Sequence, residues 1–271
     1  MERTEFIQAI REIAEQYGTA AIQEIAKANN RYLGMYVERN GVPTAVVNLD
    51  MLYAFYCDTG NIDECLLYAD ETFNKQIPTP ININRLADWD FAKKLLYLRL
   101  LGHVSNGVCR PVADMYQVPY IQLTEDGAAS VQVDYQLLDA WGVTLDEVFD
   151  QAEKNQETIR PAFFSNLAAI LRLPEEIPLY VLTTGNRSYG AGVILYDGVA
   201  DKVKSVIGED FYLIPSSIHE MLVLPKSTAD DLQYLASLVA MVNNEDVADD
   251  EVLSDSVYTY DFADHTIVKV S

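Results

Sequence analysis

One short segment carries side chains whose chemistry could hydrolyse a substrate: Ser216, Ser217, His219 and Glu220. A hydroxyl nucleophile, an imidazole base and a carboxylate form a serine hydrolase site when the three converge in space. The pattern of residues 218–224 predicts a strand, and neighbours on a strand point to opposite faces. His219 and Glu220 would then face apart, so we expect both serines to be structural. A hydrolase that uses Ser216 or Ser217 with His219 is the rival hypothesis.

Motifs for metal or phosphate binding do not occur in the sequence. The histidines at 103, 219 and 265 lie far apart, without HxH or HExxH spacing. The acidic residues at 249–255 lack the Asp-x-Asp-x-Asp-Gly spacing of a calcium loop. The glycines between 185 and 192 are not followed by the Lys-Ser/Thr pair of a phosphate-binding loop. We therefore expect no metal and no cofactor.

Carboxylates dominate the C-terminal part of the chain, where no Lys or Arg occurs between Lys226 and Lys269. Two acids at 249 and 250 are typical of a helix start before Val252. The two tyrosines at 258 and 260 alternate on a predicted strand, where they either face a partner or lie against a buried sheet face. The candidate partner-binding residues are Asp249, Asp250, Glu251, Asp255, Tyr258 and Tyr260.

Charge restricts the classes of partner. The chain of 271 residues has 41 acidic and 19 basic residues and a net charge of −22. Such a field repels phosphate backbones and anionic membranes, so we expect neither direct nucleic-acid binding nor membrane binding. It attracts a basic protein surface and accelerates the encounter. The alternative is that the charge serves solubility alone.

Cysteine usage and the N-terminus indicate the compartment. The three cysteines, Cys57, Cys65 and Cys109, form no CxxC pair, which argues against a disulfide framework or a structural zinc site. Pairing of Cys57 with Cys65 stays open, but we expect buried free thiols. The first residues lack the basic and apolar regions of a signal peptide, and no apolar run is long enough to span a membrane. We expect a soluble cytoplasmic protein.

Periodicity predicts helices at residues 3–17 and 20–28. The rest of the chain is predicted to contain repeated units, each a β-hairpin followed by a helix. The predicted hairpin turns are Asn40-Gly41, Glu125-Asp126-Gly127 and Gly185-Asn186. In the first unit, Asp50 would cap a helix at 51–57, and Asn61 or Asp63 would cap another at 62–73. In the second, helices at 135–141 and 145–156 would follow Asp134 and Thr144.

In the third unit, strands at 180–184 and 190–196 would precede a helix at 198–207. A further helix is expected at 88–101, although its leucine-rich half also suits a buried strand. A hairpin across Pro215–Ser217, a helix at 228–243 and a last hairpin at 257–270 would complete an α+β protein with mainly antiparallel sheet and flanking helices. Proline-flanked segments divide the chain into predicted domains at 1–76, 81–172 and 178–271.

Four stretches together carry a family resemblance: Pro178-Leu-Tyr-Val-Leu-Thr-Thr, Gly190-Ala-Gly-Val-Ile-Leu-Tyr-Asp-Gly-Val, Asp210-Phe-Tyr-Leu-Ile-Pro-Ser-Ser-Ile-His-Glu and Glu251-Val-Leu-Ser-Asp-Ser-Val-Tyr-Thr-Tyr-Asp. With Trp141-Gly-Val-Thr-Leu-Asp-Glu, they resemble an uncharacterised family of gut anaerobes, domain of unknown function number 5688. The resemblance implies no activity, cofactor or catalytic residue. It does imply an association with mobile genetic elements.

The sequence therefore predicts a non-catalytic acidic binding protein with a basic protein partner. The more specific form is an inhibitor of an anti-defence type, which presents carboxylates to a nucleic-acid-binding protein where phosphates would otherwise lie. The alternatives are the hydrolase at residues 216–220 and an adaptor or chaperone without mimicry.

Overall fold

The computed structural model describes residues 1–26, 31–39, 42–43, 45–74, 85–104, 107–124, 127, 129–173, 177–229 and 231–271. The chain divides into two compact units, Met1–Pro80 and Ile81–Ser271. Both units combine helices with antiparallel sheet, which confirms the predicted α+β class.

The N-terminal unit is a small sheet covered by helices. Strand β2 pairs with β1, β3 and β4, all antiparallel. Helix α1 packs on α3, because its apolar stripe of Phe6, Ile10 and Ala14 is fully buried. The elements are α1 (Arg3–Ala14), β1 (Thr19–Ala26), β2 (Arg31–Arg39), β3 (Val42–Pro43), β4 (Val47–Asn48), α2 (Leu49–Thr59) and α3 (Ile62–Asn74).

Two predictions for this unit were wrong, and one lies outside the described residues. Residues 20–26 of the helix predicted at 20–28 belong to strand β1, because Ala20 and Ile22 pack into the core while the backbone pairs with β2. The remaining two residues of that prediction lie outside the described residues. Asn48 rather than Asp50 caps α2, since its side chain accepts hydrogen bonds from two backbone N–H groups of the first turn. The turn at Asn40-Gly41 is outside the described residues, but the flanking residues 39 and 42 pair antiparallel.

The C-terminal unit begins with a sheet centred on β7, which pairs with β5, β6 and β8. The pairing of β7 with β8 confirms the second predicted hairpin, and Asp134 and Thr144 cap the two helices that follow, as predicted. The elements are α4 (Trp89–Ala92), a 3-10 turn (Lys93–Leu95), β5 (Leu96–Leu101), β6 (Arg110–Val112), β7 (Met115–Gln122), β8 (Ser130–Gln132), α5 (Tyr135–Trp141) and α6 (Leu145–Ile159).

This sheet has two different faces. Leu96, Leu98 and Ile121 belong to a buried cluster with residues of α5 and α6. The residues between them, such as Tyr97 and Arg99, alternate onto the other face. The helix predicted at 88–101 was therefore wrong beyond residue 95, because the alternation of leucine with Tyr97 and Arg99 suits a strand that is buried on both faces.

A second sheet completes the unit, with the antiparallel order β14-β13-β11-β12-β10-β9. Its outer strand β9 comes from the predicted second domain, whereas its neighbour β10 comes from the predicted third. The elements are β9 (Ala162–Asn166), α7 (Leu167–Leu171), β10 (Tyr180–Thr184), a 3-10 helix (Ala191–Leu195), α8 (Val199–Ile207), β11 (Phe211–Ser217), β12 (Glu220–Pro225), α9 (Leu232–Asp246), β13 (Tyr258–Asp261) and β14 (Thr266–Lys269).

The third predicted hairpin is not formed. A turn does occur at residues 185–186, but residues 191–195 form a 3-10 helix, and β10 pairs with β9 and β12 instead. The hairpin of β11 and β12 turns at residues 218–219, which lie later than the predicted Pro215–Ser217. The last hairpin, β13 with β14, is confirmed. The repetition of hairpin–helix units is therefore not confirmed.

Asp114 links the two sheets of the C-terminal unit. It accepts hydrogen bonds from the Tyr258 hydroxyl and from Lys269 Nζ, the latter at 2.9 Å. Burial on its own raises the pKa of Asp114, but the hydrogen bonds from Tyr258 and Lys269 outweigh it and hold the pKa below its usual value.

Replacing Asp114 with Asn should lower the free energy of unfolding at neutral pH by about 1 kcal/mol, because a charge-assisted contact is lost at a half-exposed site. A lowered folded-state pKa stabilises the fold above the unfolded-state pKa of ~3.9, and the contribution disappears as pH falls through the folded-state value. Urea titrations at neutral pH and below pH ~3 should therefore show a difference between variant and parent only at neutral pH. The exposed Asp264→Asn is the control, and an equal loss there would contradict the role of Asp114.

Candidate functional site: buried arginines among tyrosines

The residues of the hydrolase hypothesis lie close together but do not form a triad. Ser216 and Ser217 end β11, and His219 lies in the following turn rather than on a strand. The backbone N–H of His219 donates to Ser217 Oγ at 3.0 Å. Its ring atom Nδ1 accepts from the Tyr189 N–H at 3.0 Å, and its Nε2 lies 3.3 Å from Glu251 Oε1. Both ring nitrogens face groups other than a serine hydroxyl, so the geometry lacks the nucleophile–base contact.

We expect a fluorophosphonate probe to label neither Ser216 nor Ser217, because no basic side chain of the described residues contacts either hydroxyl. Intact-protein mass spectrometry after exposure to the probe measures this directly. Ser216→Ala and Ser217→Ala variants serve as mass controls. A mass increase that disappears in one variant would restore the hydrolase hypothesis.

The predicted partner-binding acids lie in and after the turn that follows α9. Residues 249–251 belong to this turn and not to the predicted helix start. Asp249 is exposed, whereas Glu251 faces His219 and Asp255 accepts a hydrogen bond from Asn243 Nδ2 at 2.8 Å. Asp250 is half-buried. These acids are thus near one another in the chain, and two of them, Glu251 and Asp255, already contact other side chains of the protein.

The two predicted partner-binding tyrosines differ in accessibility. Tyr258 is 0% exposed, and its hydroxyl donates to Asp114. This burial supports the alternative given for Tyr258, a tyrosine that lies against a buried sheet face. Tyr260 is half-buried, and its ring packs edge-on against Phe262 at a centroid distance of 4.9 Å.

Two arginines and three tyrosines form a cluster on the face of the β5–β8 sheet that carries Tyr97 and Arg99, and the sequence did not predict it. The members of this Arg–Tyr cluster are Tyr97, Arg99, Tyr120, Arg160 and Tyr189. Arg99 is only 6% exposed. Its guanidinium carbon lies 4.0 Å from the Tyr120 ring centroid and 3.4 Å from that of Tyr189, so the cation sits between two rings. Its Nε donates to the Tyr97 hydroxyl at 2.8 Å, and an Nη donates to Ser130.

Arg160, which follows α6, is the second cation of the cluster and is 2% exposed. It stacks over the Tyr97 ring at 4.5 Å and donates to the Tyr97 hydroxyl at 3.3 Å. It also donates to the Gly127 carbonyl at 3.1 Å, to Asn186 Oδ1 at 3.4 Å and to the Ser188 carbonyl at 3.3 Å. Its Nε has no hydrogen-bond partner among the described residues.

A tightly bonded segment, the 184–190 loop, holds one side of the cluster. The Thr184 hydroxyl bonds with Asn186 Oδ1 at 2.8 Å and with the Ser188 carbonyl at 3.0 Å. Arg187 and Tyr189 adopt positive φ angles of 54° and 51°, a conformation that is unfavourable for residues with a side chain. Such strain persists only where surrounding contacts enforce it, and it occurs preferentially at functional sites.

The charges of the cluster are not neutralised within the described part of the chain. No carboxylate of the described residues forms an ion pair with Arg99 or Arg160. Burial raises the pKa values of Tyr120 and of the adjacent Tyr196, so these phenols stay protonated at neutral pH. Two buried cations without a counter-ion are costly, which makes this cluster the electrostatic anomaly of the fold.

Two concave surfaces are relevant to binding. A cleft of about 220 Å³, the arginine cleft, is lined by Gln122, Ile159, Arg160, Pro161, Thr184, Gly185 and Asn186. An apolar groove of about 280 Å³ lies between α9 and the strands β11 and β12, with Leu222, Leu235 and Val239 among its lining residues. The first contains one arginine and several polar side chains beside the apolar Ile159 and Pro161, whereas the second offers mainly aliphatic contacts.

No group of three or more His, Cys, Asp or Glu residues in the described ranges is placed to hold a metal ion. Among the same ranges, no helix is both long and apolar enough to cross a bilayer. The three cysteines are unpaired, and Cys65 is buried as predicted, whereas Cys57 is exposed.

Comparison with known proteins identifies the family. Residues 3–262 match the family of unknown function DUF5688. The chain belongs to this family. Neither the curated proteins nor the solved structures contain a significant match to the chain. The family assignment therefore confirms the resemblance seen in the sequence, over more of the chain than the C-terminal stretches that carried it.

Proposed function

We propose that this DUF5688 protein is a non-catalytic binding protein whose acidic surface receives a basic protein partner. The observation that carries the proposal is the segregation of charge. The chain has a net charge of −22, and two of its cations, Arg99 and Arg160, are buried. The solvent-facing charge is therefore more negative than the net charge alone indicates.

Surface cations are further screened by local acids. Arg110 lies 2.8 Å from Asp146, and Lys204 lies 2.8 Å from Asp210. Such exposed pairs add little stability, but they remove isolated positive charge from the surface. Long-range attraction then acts mainly on basic partners and raises the association rate.

The non-catalytic part of the proposal is supported by the His219 geometry, in which both ring nitrogens face groups other than a serine hydroxyl. Free thiols, one of them exposed at Cys57, suit the proposed reducing cytoplasm. The more specific proposal, mimicry of nucleic acid toward a DNA- or RNA-binding protein, requires that partner and nucleic acid exclude each other.

The test begins with capture of partners from native lysate on the immobilised chain, eluted with salt, and continues with the purified partner. The rate at which the purified partner associates with the chain should fall steeply as the Debye length decreases from about 30 Å at 0.01 M salt to about 8 Å at 0.15 M. Excess double-stranded DNA should displace the partner if the chain mimics nucleic acid. Salt-sensitive binding without competition by DNA would support an acidic adaptor instead.

Neutralising three acids tests which surface is used. Asp249→Asn, Asp250→Asn and Glu251→Gln together should slow association by about tenfold and change dissociation less, because charges at an interface rim act on the encounter. The matched control, Glu12→Gln, Glu15→Gln and Glu71→Gln, removes the same charge from exposed positions of the N-terminal unit and should have a smaller effect. A partner that is indifferent to salt and to both variants would contradict the proposal and would point to the apolar groove beside α9.

A further inference from the structure

We propose that the arginine cleft binds a small oxyanion of the phosphate class, either free phosphate or a phosphomonoester. This inference is independent of the partner-binding proposal, since it rests on a cleft beside buried arginines rather than on the acidic surface. Its starting point is that the chain has 41 acidic residues against 19 basic ones. Even so, Arg99, Arg160 and Arg187 lie in or beside the Arg–Tyr cluster without a carboxylate partner in the described residues.

The bonds of Arg160 are those of a cation that lacks an anionic acceptor. All its acceptors are neutral oxygens, at 3.1–3.4 Å. Bonds from a guanidinium to an anionic oxygen are shorter, about 2.7–2.9 Å, and about twice as strong as neutral ones. An oxyanion in the cleft would thus offer Arg160 better acceptors than the fold supplies.

Electrostatics favour the same occupant. Arg99 and Arg160 both donate to the hydroxyl of Tyr97, so two buried cations share one neutral group. Stacking on tyrosine rings offsets part of the desolvation penalty, but it does not cancel the mutual repulsion of the cations. A bound dianion would neutralise both charges over a short distance in a poorly screened environment.

The walls of the cleft supply polar groups of suitable chemistry. Besides Arg160, the lining contains the amides of Gln122 and Asn186 and the hydroxyl of Thr184. Asn186 and Thr184 belong to the strained 184–190 loop, whose internal bonds fix their positions before a ligand arrives. Arg187 of this loop is exposed, so it can attract an anion to the entrance.

The cleft volume of about 220 Å³ suits a small ligand rather than a nucleotide, since drug-sized ligand pockets start near 300 Å³. The net charge of −22 also favours a small ligand. A polyanion would be repelled by the whole acidic surface as it approached, whereas a small anion in the cleft experiences mainly the local field of the arginines. The ligand class is therefore a single phosphate group with little attached to it.

The test is calorimetric titration of the full chain with inorganic phosphate at low-millimolar concentration and constant ionic strength, against chloride. We expect saturable binding and an increase of a few degrees in the unfolding midpoint. Phenyl phosphate distinguishes the two ligands proposed for the cleft. If it binds as tightly as inorganic phosphate, the cleft accepts a phosphomonoester; if it does not bind, the ligand is free phosphate. Arg160→Gln should abolish the effect, whereas Arg172→Gln, which removes an exposed arginine, should retain it and control for general stabilisation by phosphate.

A second variant keeps the proposal testable if Arg160→Gln does not fold. Asn186→Asp places a carboxylate where an amide oxygen now lies 3.4 Å from Arg160. It should raise the unfolding midpoint in chloride and abolish the phosphate response, because the protein then carries its own counter-ion. Retained phosphate binding in Asn186→Asp would overturn the proposal.

Glu125 and Asp126 adjoin Gly127 in the sequence and lie outside the described residues. If they neutralise the arginines, the unmodified chain should not respond to phosphate, and Glu125→Gln with Asp126→Asn should create the response. That outcome would overturn the proposal. An unchanged response in the double variant would support it.

Discussion

Replacing Trp141 with Ala is expected to lower the free energy of unfolding of the C-terminal unit by about 4 kcal/mol. Trp141 is 8% exposed and packs among the buried residues beneath α5 and α6. Its ring lies 5.3 Å from that of Trp89, and its Nε1 donates to the Leu86 carbonyl at 2.7 Å. The substitution removes a large buried ring and leaves this buried carbonyl without its donor.

Urea denaturation followed by tryptophan fluorescence measures the effect, because both tryptophans lie in this unit and Trp89 remains in the variant. Trp141→Phe should lose less than the alanine variant, since it keeps most of the packing and loses the hydrogen bond. Tyr135→Ala on the same helix is the control, because Tyr135 is 64% exposed and should change stability by less than about 0.5 kcal/mol. Equal losses for Trp141→Ala and Tyr135→Ala would show that the ring is not a major packing element.

Replacing Gly190 with Ala should destabilise the same unit by about 3 kcal/mol, at the upper end of the range for overpacking. An added Cβ would lie 2.4 Å from both the Thr184 backbone nitrogen and Thr183 Oγ1, which is far inside contact distance. The φ and ψ angles of Gly190, −96° and 0°, are tolerated by alanine, so the expected loss comes from space and not from conformation.

The matched control for Gly190→Ala is Gly185→Ala in the same loop, where the nearest atom to an added Cβ is Pro161 Cγ at 3.7 Å. The control should fold with nearly unchanged stability. Gly190→Ala should also alter the near-ultraviolet circular dichroism of the tyrosines, because Gly190 N–H donates to the His219 carbonyl and follows Tyr189 directly. Similar denaturation midpoints for the two variants would contradict the proposed close packing.

Several predictions that rested on local chemistry agree with the structure, although Asn48 rather than Asp50 caps α2. A helix over most of the predicted residues 3–17, the caps at Asp134 and Thr144, and the last hairpin are all present. These features depend on residues within a few positions of one another, so the chain itself contains the whole interaction. The α+β class follows from the same local signals.

Errors occurred where a partner distant in sequence decides the conformation. Residues 20–26 have a helical composition but form β1, because β2 offers a pairing edge. Residues 96–101 form strand β5 because β7 pairs with them and α6 packs against them. Residues 191–195 have the composition of a strand but form a 3-10 helix. Gly190 lies against the backbone of Thr184 and Gly192 against that of Leu100, and these close contacts come from residues outside the segment.

The candidate site shows the same division. The sequence alone determined the excess of carboxylates, the lack of metal and phosphate motifs, and the family of the chain. Only the tertiary structure placed Arg99 of β5, Arg160 after α6 and the 184–190 loop beside one another. The physical reason is that burial and charge pairing depend on three-dimensional distance. Arg99 and Arg160 are 61 positions apart, and Arg160 and Ser188 are 28 positions apart, so a single sequence carries no signal that they meet. Tertiary contacts also buried Tyr258 and placed groups other than a serine hydroxyl at both ring nitrogens of His219, and the spacing of these residues in the sequence carries no signal for either contact.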